Sequence, residues 1–118
     1  MNIVSIKKNI DFRRIYKRGK SCVTPTLVVY ATRNRRGNRL GLTAGKKVGC
    51  AAKRNRAKRR LRALYRELVL TDRLLPGGAC LDMIIVARAA AAEADFDRLR
   101  RDFKTAVRRV ADQINFNS

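Results

Sequence analysis

The densest chemistry in the chain lies in Lys53-Arg54-Asn55-Arg56-Ala57-Lys58-Arg59-Arg60-Leu61-Arg62. Guanidinium groups at this density point to phosphate, because the planar fork of Arg donates two parallel hydrogen bonds that match a phosphate edge. Projected at 100° per residue, a helix here separates two stripes: Ala57, Leu61, Leu64 and Leu68 on one side, Asn55, Arg59, Arg62 and Arg66 on the other. One face would anchor the helix and the other would offer cations. A face needed only for solubility would interleave acids, yet the nearest is Glu67. Like charges three and four residues apart also cost the isolated helix a few tenths of a kcal/mol per pair. The preceding Gly45-Lys46-Lys47-Val48-Gly49 brings two ammonium groups near the helix N-terminus, where free N–H groups and the dipole attract anions. It lacks the order of a P-loop, so no nucleotide triphosphate chemistry is implied.

A second set of residues could read bases. Phe12 and Tyr16 stand one turn apart on an early helix, and Tyr30 points to the strand face opposite Leu27 and Val29. With Gly41 and Thr43 as small neighbours and Lys17, Arg18, Lys46 and Lys47 nearby, these rings would line a basic groove with stacking surfaces for single-stranded nucleic acid. The competing reading is that the rings are ordinary core. The chain has no His, and its carboxylates are confined to Asp11 and the second half. No general acid/base pair, metal cluster or two-metal nuclease centre can be assembled from that inventory. Cys22, Cys50 and Cys80 are odd in number and widely spaced, which predicts reduced thiols with no zinc site.

These residues must be held by a folded body. At 118 residues with 46% apolar content, the composition predicts a single domain over 1–118. The 29 Lys and Arg against 9 Asp and Glu give a formal charge of +20, which calls for a polyanionic partner. Nineteen of the basic residues fall between Phe12 and Arg66 without a single acid. From Glu67 onward the signs mix as on a solvated helix. The longest apolar run, around Ile84-Ile85-Val86, is too short to span a bilayer, and the first residues lack secretory-signal order. A cytoplasmic protein without a membrane partner is expected.

The elements read as helix, strand, strand, helix, strand, helix. The first helix starts near Asn9 as N-cap and stops at Gly19 as C-cap, with Phe12, Ile15 and Tyr16 as its apolar stripe. Leu27–Thr32 follows Pro25 as a strand, with a short extra strand possible over Ser21–Thr24. After the turn Arg35-Arg36-Gly37-Asn38, alternation puts Leu40, Leu42 and Ala44 on one face and Gly41 and Thr43 on the other. The arginine helix is expected over Ala51–Leu70, ended before Pro76-Gly77-Gly78. Leu81–Ala87 reads as a strand covered on both faces. The last helix carries a core stripe of Phe96, Leu99, Phe103, Ala106, Val107, Val110 and Ile114. The run Ala89–Ala92 fits loop or helix.

The stretch from Gly41 to Arg62, with Arg54-Asn55-Arg56 and the following Lys58-Arg59 at its centre, closely resembles the signature of the protein component of bacterial ribonuclease P. Asp11-Phe12, Lys17-Arg18-Gly19, Val29-Tyr30 and Ile84-Ile85-Val86-Ala87-Arg88 extend the resemblance over most of the chain. It implies an α+β, two-layer α/β sandwich like domain 2 of ribosomal protein S5. The order would be helix-strand-strand-strand-helix-strand-helix around a mostly antiparallel sheet, with a left-handed β-α-β crossover, against the usual hand.

The resemblance also implies a division of labour. A catalytic RNA subunit, with magnesium ions that the RNA mainly binds and the protein alone does not, removes the 5′ leader from precursor tRNA. The protein has no catalytic residue and assists. Arg54, Asn55, Arg56, Lys58, Arg59, Arg60, Arg62 and, by its place on the same stripe, Arg66 would dock on ribonuclease P RNA. Phe12, Tyr16, Lys17, Arg18, Tyr30, Gly41, Thr43, Lys46 and Lys47 would hold the single-stranded leader. Cys50 departs from the Asn usual after the Gly, and Ala89 from the Pro common after the Arg. The rival readings are a ribosomal-protein-like RNA binder, which gives the groove no role, and an architectural DNA binder, for which the chain lacks duplex-directed arms or wedges. No DNA partner is expected.

Overall fold

A computed structural model describes residues 2–75 and 79–114; Pro76-Gly77-Gly78, expected to break the helix, lies outside the described residues. The elements are α1 (Asn9–Arg18), β1 (Lys20–Val23), β2 (Leu27–Arg33), β3 (Arg39–Ala44), α2 (Ala51–Leu64), β4 (Leu81–Ala87) and α3 (Phe96–Gln113). The four strands form one mixed sheet in the order β1-β2-β4-β3. β2 pairs antiparallel with β1 and β4, and β3 runs parallel to β4. A parallel pair cannot be closed by a hairpin, so the chain between β3 and β4 must cross over, and α2 forms that connection.

Strand alternation sends two sets of residues to opposite faces. Leu27, Val29, Ala31, Leu40, Met83 and Ile85 join Leu61, Leu64, Leu99, Phe103 and Val107 of α2 and α3 in the main core. On the other face Ile84 packs with Ile6 and Ile15 in a smaller cluster, flanked by Phe12, Tyr30 and Val86. That face is only partly roofed, because α1 is the one helix with side chains in the smaller cluster. The expected alternation of Leu40, Leu42 and Ala44 against Gly41 and Thr43 is present, and β4 is covered on both faces.

Several local expectations are corrected. Asn9 is the first residue of α1 and Lys8 occupies the cap position, with no side-chain cap hydrogen bond. Gly19 does cap the C-terminus, but in an extended conformation. What requires glycine there is proximity, since a Cβ would stand 2.4 Å from the Ile15 carbonyl oxygen and 2.9 Å from that of Ala31.

The arginine helix stays α-helical only to Leu64, and Tyr65–Thr71 widens into a π-helical turn. Tyr65, Leu68 and Val69 are all buried in that turn, so the widened winding serves packing where simple 3.6-residue periodicity predicts an uninterrupted helix. Ala89–Ala92 is a 3₁₀ turn. On α3 the core stripe begins at Leu99, whereas Phe96 is 42% exposed and carries the Arg60 guanidinium over its ring at 5.6 Å.

Candidate nucleic-acid interface

α2 is anchored as its periodicity requires. Ala57, Leu61 and Leu64 have no exposed surface, and Asn55, Arg59, Arg62 and Arg66 are exposed on the opposite side. Arg54 and Lys58 are half-buried along the flanks. The ridge is therefore a built surface, with its cations carried on a helix whose other face is part of the core.

Two of its arginines have a different task. Arg56 donates from Nε to the Ala92 carbonyl at 2.8 Å. Arg60 is half-buried and donates to the carbonyls of Ala91 and Ala94. Burial, and then the neighbouring charge of Arg56, lower the Arg60 pKa from its ordinary value. These bonds fasten α2 to the 3₁₀ turn before α3, so the Arg60 fork is spent on the protein's own carbonyls. Arg56 as a whole remains exposed. Nothing local signals this, because the acceptors lie more than 30 residues further along the chain.

The turn before α2 is a 3₁₀ segment, Lys46–Val48, anchored by buried Val48 and leaving Lys46 and Lys47 exposed. Gly49 follows at φ +127°, a conformation that side chains rarely adopt. Cys50, at the cap position of α2, is exposed; backbone N–H groups, led by that of Lys53, lower its thiol pKa below the ordinary value.

The three rings do come together. Tyr16 meets Tyr30 edge-on, with centroids 4.9 Å apart and planes at 83°, and Phe12 lies 6.4 Å from Tyr16. Tyr16 is 40% exposed. Burial of the rest raises its phenol pKa, opposed by a hydrogen bond with Thr43. This contact places Tyr16 over β3 just before the Lys46-Lys47 turn. Half-buried Val28 and Val86 flank it on the same sheet face and escaped the sequence reading.

Gly41 behaves differently from expectation. The space it leaves is filled by Phe12, whose ring would stand 2.8 Å from a Cβ at this position. Gly41 is buried and seats Phe12. Arg18 is also set apart, since a residue two positions from Tyr16 lies about 200° round the helix, on the flank shared with Asp11 and Arg14. Lys17 is exposed on the outward side. At the edge of β3 a depression of about 200 Å³ is lined by Phe12, Gly41 and Leu42 together with Lys58 and Arg62. It links the seat of Phe12 to the arginine ridge.

One charged cluster was not anticipated at all. The Asp82 side chain is only 3% exposed. It accepts from Arg39 Nε at 2.8 Å and Nη2 at 2.7 Å, from Asn34 Nδ2 at 2.7 Å and from Arg14 Nη2 at 3.1 Å. Burial pushes its carboxyl up, but the bonds from Arg39, Asn34 and Arg14 outweigh that and hold it below its ordinary value. A lone acid in the apolar run of β4 was the available signal, because a charge on a covered strand must be paired. Among the described residues, no group of three or more His, Cys, Asp or Glu could hold a metal ion, and Asp11 and Asp82 are both engaged with Arg14 and Arg39.

The family described as Ribonuclease P matches residues 2–111. The chain belongs to the ribonuclease P protein family. The ribonuclease P protein component of Clostridioides difficile is 36% identical over 106 residues, covering 89% of this chain and 90% of the relative. That of Natranaerobius thermophilus is 39% identical over 102 residues, covering 86% and 84%. Among solved structures, the Staphylococcus aureus RNase P protein superposes with a TM-score of 0.75 at 30% identity, covering 91% of this chain and 94% of that one. The Thermotoga maritima RNase P protein gives 0.73 at 25%, covering 92% and 96%. The role is thus that of the protein subunit of ribonuclease P, a ribonucleoprotein of tRNA processing. No helix among the described residues is long and apolar enough to cross a membrane.

Proposed function

We propose that this subunit assists a catalytic RNA in cutting the 5′ leader from precursor tRNA in the cytoplasm, gripping two RNA strands at once. The observation that carries the reading is the exposure of Asn55, Arg59, Arg62 and Arg66 opposite the buried Ala57, Leu61 and Leu64. This presents guanidinium forks to the RNA subunit from a rigid support. Arg54, Arg56 and Lys58 extend that surface, while Arg60 contributes chiefly by holding α2 in place. The single-stranded leader lies along Tyr16 and Tyr30, between Thr43 with Lys46 and Lys47 at one end and Lys17 on the outer side of α1. Phe12 braces Tyr16 from its seat on Gly41.

Magnesium ions in this reading are held mainly by the RNA and supply the electrophilic and nucleophile-activating chemistry of hydrolysis. The carboxylates nearest the rings are already committed to arginine. In the same reading the sandwich is of the ribosomal protein S5 domain 2 type, and the β3–α2–β4 connection is the left-handed crossover; the parallel pairing of β3 with β4 supports this. Duplex DNA and membranes are not partners.

The test mixes the purified chain with a bacterial ribonuclease P RNA and precursor tRNA at low magnesium, where the RNA alone is weak. The expected result is faster cleavage and tighter substrate binding. No gain in either overturns the proposal.

A further inference from the structure

The place of the Tyr16 ring depends on how α1 sits, and α1 is lightly seated. The helix is ten residues long, has no side-chain cap at its N-terminus and buries one side chain, that of Ile15. A helix this short is marginal by itself, so its tertiary attachments decide where it lies. At 100° per residue, Tyr16 falls about 100° to one side of Ile15 and Arg14 about 100° to the other. The side of Phe12 and Tyr16 rests on Gly41, Tyr30 and Thr43. The other side borders an open cavity of about 680 Å³ whose lining includes Asp11, Arg14, Arg39 and Asp82.

Those four residues form a closed ring of alternating charge. Arg14 stands 3.1 Å from Asp82, Asp82 2.7 Å from Arg39, Arg39 3.5 Å from Asp11, and Asp11 3.4 Å from Arg14. Two acids balance two arginines, and each charge has an opposite neighbour on either hand. The half of the ring on the sheet is fixed without α1, because Arg39 grips Asp82 through Nε and Nη2 and Asn34 adds a further bond. The sheet therefore presents to α1 a held acceptor, Asp82 Oδ2, and a held donor, Arg39 Nη1. Arg14 reaches both carboxylates through Nη2.

We infer that Arg14 and Asp82 are positioning residues for leader binding: their bond fixes the roll of α1 about Ile15, and with it the place of the Tyr16 ring beside Tyr30. The inference rests on the reading of these rings as the leader site. With Arg14 and Tyr16 on opposite sides of Ile15, a roll that draws Arg14 away from Asp82 turns Tyr16 into the sheet, and the reverse roll lifts it off. At the outer radius of a helix, about 6 Å, a roll of about 10° displaces the ring by roughly 1 Å. A binding constellation must be held within roughly 0.5 Å. One isoleucine gives little resistance to such a roll, whereas a hydrogen bond between charged groups is short and directional. Charge alone makes the opposite forecast for Asp82. Its loss makes the chain more cationic, which by itself tightens binding to a polyanion.

The test reconstitutes the holoenzyme from the full chain and a bacterial ribonuclease P RNA. It measures affinity for precursor tRNA with and without its leader in wild type, R14M and D82N. Leader-bearing substrate should bind at least about fivefold more weakly in both variants, the low end of what one stacked base contributes. Leaderless tRNA and the RNA subunit should bind within about twofold of wild type. NMR of the full chain should show the Tyr16 and Tyr30 ring signals shifted in both variants. The Arg14 side chain is 37% exposed and Met keeps most of its stem, so R14M stays folded even where D82N is weakened. Weaker leader binding in R14M with tighter binding in D82N makes Arg14 a direct RNA contact and overturns the inference. Equal losses on both substrates, or ring signals that do not move, overturn it as well. A wild type that does not favour the leader overturns the leader reading itself. A wild type that favours it, beside variants that keep the full preference, overturns the positioning role alone.

Discussion

Gly41→Ala should destabilise the protein through Phe12 alone, and the structure makes the claim quantitative. A Cβ at position 41 would meet Phe12 Cζ at 2.8 Å and Cε1 at 2.9 Å, both below any tolerable contact. The ring must therefore leave its seat between α1 and β3, an overpacking cost of about 1 to 3 kcal/mol. The next neighbour is Ile84 Cγ1 at 3.5 Å, an ordinary contact. Once Phe12 is removed nothing opposes the methyl group, and the lower backbone entropy of Ala in a strand favours it by roughly 0.5 to 1 kcal/mol. Phe12→Ala, at a half-buried site, should cost about 2 to 3 kcal/mol by itself, below the range for fully buried Phe. Chemical denaturation of the four proteins of the cycle would then show the double variant no less stable than Phe12→Ala. The coupling would be about 1.5 to 4 kcal/mol, well outside the additivity expected of independent sites. Additive losses would refute the idea that Gly41 exists to seat the ring.

Four further outcomes are expected. Tyr16→Ala should weaken binding of leader-bearing precursor tRNA by on the order of 1 to 3 kcal/mol and leave leaderless tRNA nearly untouched; equal losses on both would make the ring purely structural. Arg59→Glu with Arg62→Glu should lower the log–log salt slope of RNA-subunit binding by roughly 0.7 to 0.9 per phosphate contact removed and cost little stability. Arg60→Ala should instead cost about 1.5 to 3 kcal/mol of folding stability by orphaning the carbonyls of Ala91 and Ala94, as a denaturation midpoint would report. For Asp82, whose folded pKa is held below the ordinary 3.8, the stabilisation is complete above the unfolded value and disappears as pH falls through the folded one. Denaturation curves from pH 6 to pH 2 should thus show an acid-side loss that Asp82→Asn flattens, with the variant already weaker by about 2 to 3 kcal/mol at pH 6. An unchanged acid limb in that variant would show that the cluster does not carry the effect.

What the linear chain determined about this protein is what short-range periodicity can encode. The α2 stripe of Ala57, Leu61 and Leu64 against Asn55, Arg59, Arg62 and Arg66 follows from the 3.6-residue repeat. The two faces of β3 follow from the two-residue repeat, and the buried run of β4 from its continuous apolar composition. The polycationic first half alone called for a polyanion. Tertiary structure decided how those surfaces are completed. Only packing places Phe12 in the space above Gly41, 29 positions away, gives Arg60 the carbonyls of Ala91 and Ala94, and gathers Arg14, Asn34 and Arg39 around Asp82 from three elements. It also opens a cavity lined by Arg14, Arg35, Arg36 and Arg39 on the far flank of α1. The physical reason is range: a helix or strand repeat is set by a residue's immediate neighbours, whereas a hydrogen-bond acceptor, a steric seat or a counter-charge is supplied by whichever distant segment the fold brings within a few ångströms.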